Sequence, residues 1–493
     1  MATTFTTTTG LGDAVRRCRA EQAAWARLPV SARLRPIKAL RRLLATECDA
    51  LCEAVGRDLG KTPEETLAGD VLPLADACRW LQSAAARVLR PRRVSTGQRP
   101  LWLWGQTDTV LRRPHGVVGL IGTWNYPIFL SGVALVQALT AGNGVVWKPS
   151  EVAPASALAL FELVRRAGFP AGLVHLMDAT REGGRELAEA DIDHVAFTGS
   201  STVGRALATT LAPRLVSSTL ELSGCDALFV LDDADVRLAA RAAWFGANLN
   251  RGQTCLAVRR AFVHRSLYPA FVEVLRPLAE AAPPVRLALR SQAEQADRLV
   301  NEALAQGGRL LATPATHAGD DGERLCPPRV VIDARPEMAL CREASFAPLL
   351  AVLPFDTVDE ALRMDAECPF GLGASVFTRH HGRGEALAAR LRTGMVGIND
   401  VVVPTAHPAT PFGGRRASGW GVTQGAEGLL EMTVPQVVSV RTDAYRPHYD
   451  MAPGIQVNRG DMIRAFLDIG HGTTLGRRAR GFIGLIRALL ESK

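Results

Sequence analysis

The residues best suited to covalent chemistry lie in the stretch Asn248–Cys255, which ends in a thiol. Gly252 permits a tight turn, because glycine adopts backbone angles that other residues avoid. The amide side chains of this stretch can donate hydrogen bonds to charge that develops beside the sulfur. Cys255 is therefore a candidate nucleophile. Free cysteines are also common in protein cores, so one thiol among nine needs support from other segments.

That support comes from several further segments that carry polar or glycine-rich motifs. In chain order they are Thr123–Pro127, Gly142–Glu151, Phe197–Arg205, Glu221–Gly224, Glu343–Pro348 and Pro411–Gly419. Each motif alone is weak, but together and in this order, between about residues 51 and 441, they resemble the aldehyde dehydrogenase superfamily. The resemblance implies a non-acylating enzyme that oxidises an aldehyde to a carboxylic acid with NAD(P)⁺.

The resemblance also implies roles for three catalytic residues. Cys255 would attack the aldehyde as a thiolate and form a thiohemiacetal. The Asn125 amide and the Cys255 backbone N–H would stabilise the alkoxide. Loss of hydride to the cofactor would leave a thioester, and Glu221 would be the general base for its hydrolysis by water.

A second group of residues would hold the dinucleotide. Ser200 and Thr202 begin a helix, where hydroxyls and free N–H groups suit a pyrophosphate, and Lys148 and Glu151 would contact the adenosine ribose. The full cofactor-binding set is Trp124, Lys148, Ser150, Glu151, Gly199, Ser200, Thr202 and Phe346. A carboxylate at 151 would repel a 2′-phosphate, which favours NAD and leaves NADP open. No metal site is expected, because the cysteines lack metal-ligand spacing.

Two departures from the family pattern leave other functions open. Ala344 stands where the family has the glutamate that holds the nicotinamide ribose, so either Glu343 takes that role or the ribose is held more loosely. Ser223 replaces a glycine and Cys225 replaces a lysine after Glu221. The alternatives are a catalytically impaired protein used for binding or structure, and a relative that passes the thioester to coenzyme A. The presence of Glu221 disfavours the second.

The elements that position these residues alternate in type. Short apolar runs such as Val117–Gly122 and Gly144–Trp147 are typical of strands buried on both faces of a parallel sheet. Helical patterns separate them, which predicts an α/β fold. Together with the family resemblance, this pattern implies a variant Rossmann-type cofactor domain, a second α/β catalytic domain and a small β arm.

The predicted domain boundaries follow the changes in pattern. We expect residues 1–100 and 114–222 to form the dinucleotide-binding domain and 223–432 to form the catalytic thiol domain. Residues 101–113 and 433–443 would form an oligomerisation arm, in which Leu101–Trp104 and Thr107–Leu111 alternate like a β-hairpin. Residues 444–493 would form a tail.

The tail is predicted to end in a basic amphipathic helix. Phe482, Leu485, Ile486, Leu489 and Leu490 would share one face, with arginines at the start and flank of the helix. Such a helix docks on its own protein, on a second subunit, or as a peripheral contact on a membrane surface.

The composition limits which classes of partner are expected. The net charge of +8 is modest for 493 residues and comes with no dense basic run, so nucleic acid is not expected as a partner. Scattered cysteines favour a reducing cytoplasm, and no apolar run is long enough to span a membrane. The family resemblance implies a small-molecule aldehyde as substrate and, with the arm-like segments, a homodimer or homotetramer. Trp124, Phe129, Phe245 and the loop around His407 are expected near the substrate tunnel.

Overall fold

The computed structural model describes residues 10–313, 324–442 and 459–491. They form two compact units. The first consists of described residues of Met1–Val88 and Pro114–Val434, and the second of described residues of Leu89–Arg113 and Pro435–Lys493. The domain boundaries expected above stay a prediction.

The first unit opens with a group of helices. They are Leu11–Trp25, Val30–Thr46, Cys48–Leu59, Pro63–Thr66 and Leu72–Val88, with a π-helical turn at Leu67–Val71. The third of them ends as the sequence predicts, because Gly60 takes the left-handed conformation (φ 64°) that glycine tolerates. This placement brings Lys61 to the buried carboxylate of Asp70.

A six-stranded sheet forms the predicted cofactor half of this unit. Its strands lie in the order Gly419–Trp420, Ser217–Leu222, His194–Gly199, Val117–Ile121, Gly144–Lys148 and Val174–Leu176. All neighbours pair in parallel except the first strand, which is antiparallel. The helices between them are Phe129–Ala141, Pro154–Arg166, Gly183–Glu189 and Ser201–Leu211.

A seven-stranded sheet forms the other half. Its order is Arg309–Leu310, Arg329–Ile332, Leu349–Phe355, Val258–His264, Asp226–Val230, Gly373–Phe377 and Met395–Ile398. Only the first strand is antiparallel to its neighbour. Its helices are Val236–Asn248, Tyr268–Ala281, Arg290–Ala305, Ala339–Arg342, Val358–Ala366 and His381–Ala388. Helix Gly425–Glu431 instead contacts helices Leu72–Val88 and Phe129–Ala141. Short two-stranded ladders join Val285–Arg286 to Leu325–Cys326 and Phe370–Gly371 to Arg415–Arg416.

Fully buried apolar side chains explain why the strand predictions were confirmed. Strands Val117–Ile121 and Gly144–Lys148 are buried along their whole length, as expected for a parallel sheet covered on both faces. In the second sheet the rings of Phe229 and Phe262 stack with their centroids 5.1 Å apart. The α/β class expected from the sequence is confirmed.

The second unit contains a three-stranded sheet and two helices. The sheet consists of Arg92–Arg93, Gln106–Pro114 and Thr433–Arg441, and the helices are Arg459–His471 and Leu475–Glu491. Leu101–Leu103 is a 3₁₀ turn, so the strand expected at Leu101–Trp104 was wrong. Pro100 explains the difference, because its carbonyl accepts the Leu103 N–H and closes a turn.

The predicted tail falls partly outside the described residues, which omit 443–458 and 492–493. Its described part contains helix Leu475–Glu491 where a helix was expected, and a further helix, Arg459–His471, that was not expected. Among the helices described, none has both the length and the hydropathy that crossing a bilayer requires.

Candidate active site

The candidate nucleophile follows a turn that only glycine can complete. Helix Val236–Asn248 leads into a 3₁₀ turn, in which Asn250 and Arg251 take left-handed backbone angles. Gly252 follows with φ 73°, and a Cβ there would lie 2.3 Å from the carbonyl carbon of Ala347. The close approach brings the loop that carries Cys255 against the segment Glu343–Pro348.

Long-range hydrogen bonds hold this loop in place. The Tyr126 hydroxyl and the Thr254 hydroxyl lie 2.9 Å apart. The Arg251 guanidinium donates to the carbonyl oxygens of Leu59 and Gly60 at 3.1 and 2.7 Å. The conformation of the loop is therefore set by residues far away in the sequence.

Glu221 lies on strand Ser217–Leu222 with its side chain buried. Its Oε1 has no hydrogen-bond partner. Burial raises the pKa of this carboxyl from 4.5 to about 7, and the hydroxyl and amide of the neighbouring Thr423 oppose that rise. Gly224 brings this strand end close to the catalytic loop, because a Cβ there would lie 2.5 Å from the Cys255 carbonyl oxygen.

The Asn125 amide has a defined orientation. Its Oδ1 accepts from the Thr123 hydroxyl at 3.0 Å, while its Nδ2 donates to the Gln253 carbonyl at 3.1 Å. An amide nitrogen carries two N–H groups, so one is left for an oxygen in the cavity. The Asn125 carbonyl accepts from the buried Lys61 ammonium at 2.7 Å.

One cavity brings the three predicted catalytic residues together. It is lined by Thr123, Asn125, Leu130, Thr198, Gly199, Glu221, Leu222, Cys255, Phe346 and Phe412. Burial and the negative charges of Asp226 and Glu221 raise the pKa of Cys255 to about 12. The resting form of Cys255 is therefore the thiol.

The predicted pyrophosphate residues lie where a strand gives way to a helix. Gly199 ends strand His194–Gly199 and lines the cavity. Ser200 is the N-cap of helix Ser201–Leu211, and its hydroxyl accepts the Val203 N–H at 3.3 Å. Ser200 and Thr202 are both exposed, so an anionic group can reach the positive end of this helix.

The predicted ribose residues lie at the end of strand Gly144–Lys148. The buried Lys148 ammonium is 3.1 Å from Glu151 Oε2, and Arg181 is 3.6 Å from the other oxygen. Burial favours the neutral form of Glu151, but its own backbone amide, Lys148 and Arg181 together lower its pKa. Ser150 is buried, and its hydroxyl accepts the Val152 N–H at 3.2 Å.

Phe346, which lines the cavity, meets a second aromatic residue. The rings of Trp124 and Phe346 have centroids 5.9 Å apart and are tilted by 57°. Gln292 donates to the Phe346 carbonyl at 2.8 Å and so fixes the backbone beside the ring. Glu343 forms an ion pair with Arg298, so its carboxylate is already engaged in this structure.

These residues fit a dinucleotide. An exposed helix N-terminus suits a pyrophosphate, and a carboxylate beside a buried ammonium suits a ribose. The paired aromatic rings offer an apolar wall for a flat ring. Among the residues that the structure describes, no group of three or more His, Cys, Asp and Glu side chains is placed to hold a metal ion.

The sequence reasoning missed two groups that support the site. The ion pair of Lys61 with Asp70, 3.0 Å long, is almost completely buried next to Asn125. The rarity of lysine in this chain was the available signal. Arg259, also buried, donates to the carbonyl oxygens of Gly252 and Ala347. No local pattern marks Arg259.

The two residues that depart from the family pattern after Glu221 both form hydrogen bonds with other segments. The Ser223 carbonyl accepts from the Ser418 hydroxyl at 2.8 Å. Cys225 is buried, and its thiol donates to the Cys341 carbonyl at 3.6 Å. Its thiol is not part of the cavity lining. The tunnel residues expected from the sequence vary in exposure: Phe129 is buried, Trp124 is half-buried, and Phe245 and His407 are exposed.

The family model described as "Aldehyde dehydrogenase family" matches residues 3–438. The chain belongs to the aldehyde dehydrogenase family. The resemblance seen in the sequence is thereby confirmed, together with the enzyme class and the NAD(P) class of cofactor.

Individual relatives agree with this assignment. The chain is 36% identical over 419 residues to the 4,4′-diapolycopene aldehyde oxidase of a Methylomonas species, a match that covers 83% of this chain and 78% of the relative. The aldehyde dehydrogenase of Mycobacterium tuberculosis complexed with NAD⁺ superposes with a TM-score of 0.83 at 28% identity, covering 90% and 92% of the two chains. The NADP-dependent glyceraldehyde-3-phosphate dehydrogenase of Bacillus halodurans, complexed with NADP, gives 0.82 at 28% identity, covering 89% and 92%.

Proposed function

We propose that the protein oxidises an uncharged, apolar aldehyde to its carboxylic acid through a Cys255 thioester. The observation that carries this proposal is the single cavity lined by Cys255, Glu221 and Asn125. These residues come from separate segments of the chain, and each supplies a different function: nucleophile, base and hydrogen-bond donor.

Attack begins with proton removal. Because the pKa of Cys255 is raised to about 12, its thiol must lose a proton as the sulfur–carbon bond forms. That proton passes to solvent. Glu221 lines the same cavity and, with a pKa of about 7, removes a proton near neutral pH from the water that cleaves the thioester.

Asn125 acts on the oxygen of the substrate. Attack by sulfur places negative charge on the former carbonyl oxygen. An amide N–H held ready before the reaction stabilises that charge without reorganisation. The bonds of Asn125 to Thr123 and Gln253 provide this fixed orientation.

The cofactor supplies one chemical function, which is to accept hydride from the substrate carbon. Lys148 and Glu151 would hold the adenosine ribose, with Ser150 shaping the turn between them. Gly199, Ser200 and Thr202 would hold the pyrophosphate, and Trp124 and Phe346 would border the nicotinamide. Glu151 favours NAD. Arg181, beside Glu151, is a cation by which NADP could also be accepted.

The lining of the cavity supports an apolar substrate. Leu130, Leu222, Phe346 and Phe412 contribute apolar surface, and the lining includes no Lys, Arg or His. An aldehyde that carries a carboxylate would therefore lie near the Glu221 carboxylate without a compensating cation. The relative named for 4,4′-diapolycopene aldehyde agrees with this preference.

We also propose a cytoplasmic enzyme that forms a homodimer or homotetramer through its β arm. All nine cysteines are free thiols, which supports a reducing compartment. The sheet formed by Arg92–Arg93, Gln106–Pro114 and Thr433–Arg441 would supply the arm.

Steady-state assays test the proposal. Purified protein is mixed with NAD⁺ or NADP⁺ and a series of aliphatic, aromatic and carboxylate-bearing aldehydes, with and without coenzyme A. The reduced cofactor is followed by its absorbance. We expect turnover without coenzyme A, faster with apolar aldehydes, and its loss in Cys255→Ala. Cys225→Ala is the matched control and should stay active.

Three outcomes would overturn parts of this account. Full activity of Cys255→Ala would refute the assigned nucleophile. A strict need for coenzyme A would favour the acylating alternative. Binding of NAD(P) without turnover of any aldehyde would favour a catalytically impaired protein.

A further inference from the structure

The two helices of the second unit lie beyond the family match. That match ends at residue 438, whereas the helices span Arg459–His471 and Leu475–Glu491. They pack on each other, with Met462, Ala465 and Ala488 buried. The family match therefore does not account for these helices.

These helices expose large apolar side chains. The exposed residues are Ile463, Leu467, Leu475, Phe482, Ile483 and Ile486. At 100° per residue, Phe482, Ile483 and Ile486 lie within an arc of about 100° on the second helix. The buried residue of this helix, Ala488, lies outside that arc. The arc therefore stays exposed after the two helices have packed on each other. Such a concentration of exposed apolar side chains marks an interaction surface.

Two tryptophans lie in the same unit. Trp102 and Trp104 are 59% and 72% exposed, and the 3₁₀ turn Leu101–Leu103 contacts helix Arg459–His471. Exposed tryptophans are unusual on a surface that faces only water. They are favoured at the boundary between lipid and water, because the indole ring is apolar with one polar N–H.

Arginines border the apolar arc. Arg480 and Arg487 are exposed on one side of it and Arg478 on the other, where helical spacing places them about 40 to 60° from its edges. Arg477 pairs with Asp468 between the two helices. A positive border around an apolar face attracts anionic lipid headgroups while the apolar side chains enter the acyl boundary.

We propose that the apolar arc of helix Leu475–Glu491, formed by Phe482, Ile483 and Ile486 and bordered by arginines, docks on an anionic lipid bilayer. The arginine border disfavours a second copy as the occupant, because two identical faces would bring like charges together. None of the described helices can cross a bilayer, so the contact is peripheral. An enzyme held there would meet aldehydes that partition into lipid.

Vesicle flotation of the full-length protein tests this proposal. We expect the protein to float with vesicles that contain phosphatidylglycerol and to bind pure phosphatidylcholine vesicles more weakly. Raising NaCl from about 0.1 to 0.5 M should weaken binding, because the Debye length shortens. Phe482→Ser with Ile486→Ser should raise the lipid concentration for half-binding by about tenfold or more.

Two comparisons separate the lipid contact from other causes. Leu215→Asp removes an exposed leucine from the first unit and should not change flotation. The backbone of Leu215 is left-handed (φ 56°), a conformation that aspartate tolerates. Arg480→Gln with Arg487→Gln should reduce binding to anionic vesicles alone. Cys255→Ala should float like the parent protein, so loss of catalysis and loss of docking are distinguishable.

The proposal is overturned if the parent protein does not float with anionic vesicles, or if the Phe482→Ser, Ile486→Ser variant floats equally well. It is also overturned if light scattering shows that this variant forms a smaller assembly than the parent protein while its flotation is unchanged. A second copy of the chain would then cover the surface.

Discussion

Replacing Glu221 by glutamine should remove hydrolysis of the thioester and stabilise the protein above neutral pH. The reason for both effects is the burial of this carboxyl, whose Oε1 has no hydrogen-bond partner. Burial raises its pKa from 4.5 to about 7, so near neutral pH the side chain exchanges a proton readily. Ionisation is useful for catalysis, but it places a charge in a poorly solvated position.

The magnitude follows from the two pKa values. Below pH 4.5 the carboxyl is protonated in the folded and the unfolded protein, and the stability linked to it is fully present. Between pH 4.5 and about 7 only the unfolded protein loses the proton, so this stability falls as pH rises, and the loss is complete once the folded protein also ionises above about 7. The difference between 4.5 and about 7 corresponds to about 3 kcal/mol. Glutamine cannot ionise, so Glu221→Gln should gain about 3 kcal/mol over the parent protein between pH 4.5 and 8.

Two assays check this prediction. Urea unfolding at pH 4.5 and pH 8 measures the stability difference. Turnover measured from pH 5 to pH 9 should fall about tenfold per pH unit below 7 in the parent protein. Glu221→Gln should lose about 100- to 10,000-fold in turnover. Glu431→Gln, which changes a half-buried carboxyl outside the cavity, is the control and should leave the pH–rate profile unchanged. A stability difference that is independent of pH, or undiminished turnover, would refute the reasoning.

Three further substitutions test the supporting contacts. Asn125→Ala should lower kcat by about 100- to 1,000-fold with little change in NAD(P) affinity by fluorescence titration; an unchanged kcat would exclude it as the oxyanion donor. Lys61→Met leaves the Asp70 carboxylate buried without its cation and should cost about 3–5 kcal/mol in urea unfolding; Lys61→Met with Asp70→Asn should recover part of that loss, and no recovery would contradict the assignment. Arg259→Met removes the donor from two buried carbonyls and should lower the free energy of unfolding by about 1–3 kcal/mol and raise the KM for NAD(P); an unchanged KM would show that Arg259 does not position the nicotinamide side.

The sequence was sufficient where local patterns reflect burial. Strands such as Val117–Ile121 lie in a sheet covered on both faces, so their apolar runs are continuous and easily recognised. The pattern failed at Leu101–Trp104. Alternation there resembled a strand, but Pro100 starts a 3₁₀ turn and both tryptophans remain exposed. Alternation alone does not distinguish a strand from a turn with exposed aromatic side chains.

The residues of the candidate site could be predicted from the sequence, but the hydrogen bonds that support them could not. Cys255, Glu221 and Asn125 follow from motifs and family resemblance. Their support joins parts of the chain that are far apart, as in the bond between Tyr126 and Thr254, 128 positions away. The contacts of Arg259 depend on how the catalytic loop meets the segment that carries Phe346. Residue spacing does not predict such contacts, because they arise from the packing of the whole unit.

The most direct measurement of the central claim is the location of the acyl group. Glu221→Gln is incubated with an aldehyde and NAD(P)⁺, digested with trypsin and analysed by mass spectrometry. Cleavage after Arg251 and Arg259 releases a peptide in which Cys255 is the only cysteine. We predict the acyl adduct on this peptide. An adduct on another cysteine, or turnover with no adduct on Cys255, would contradict the account.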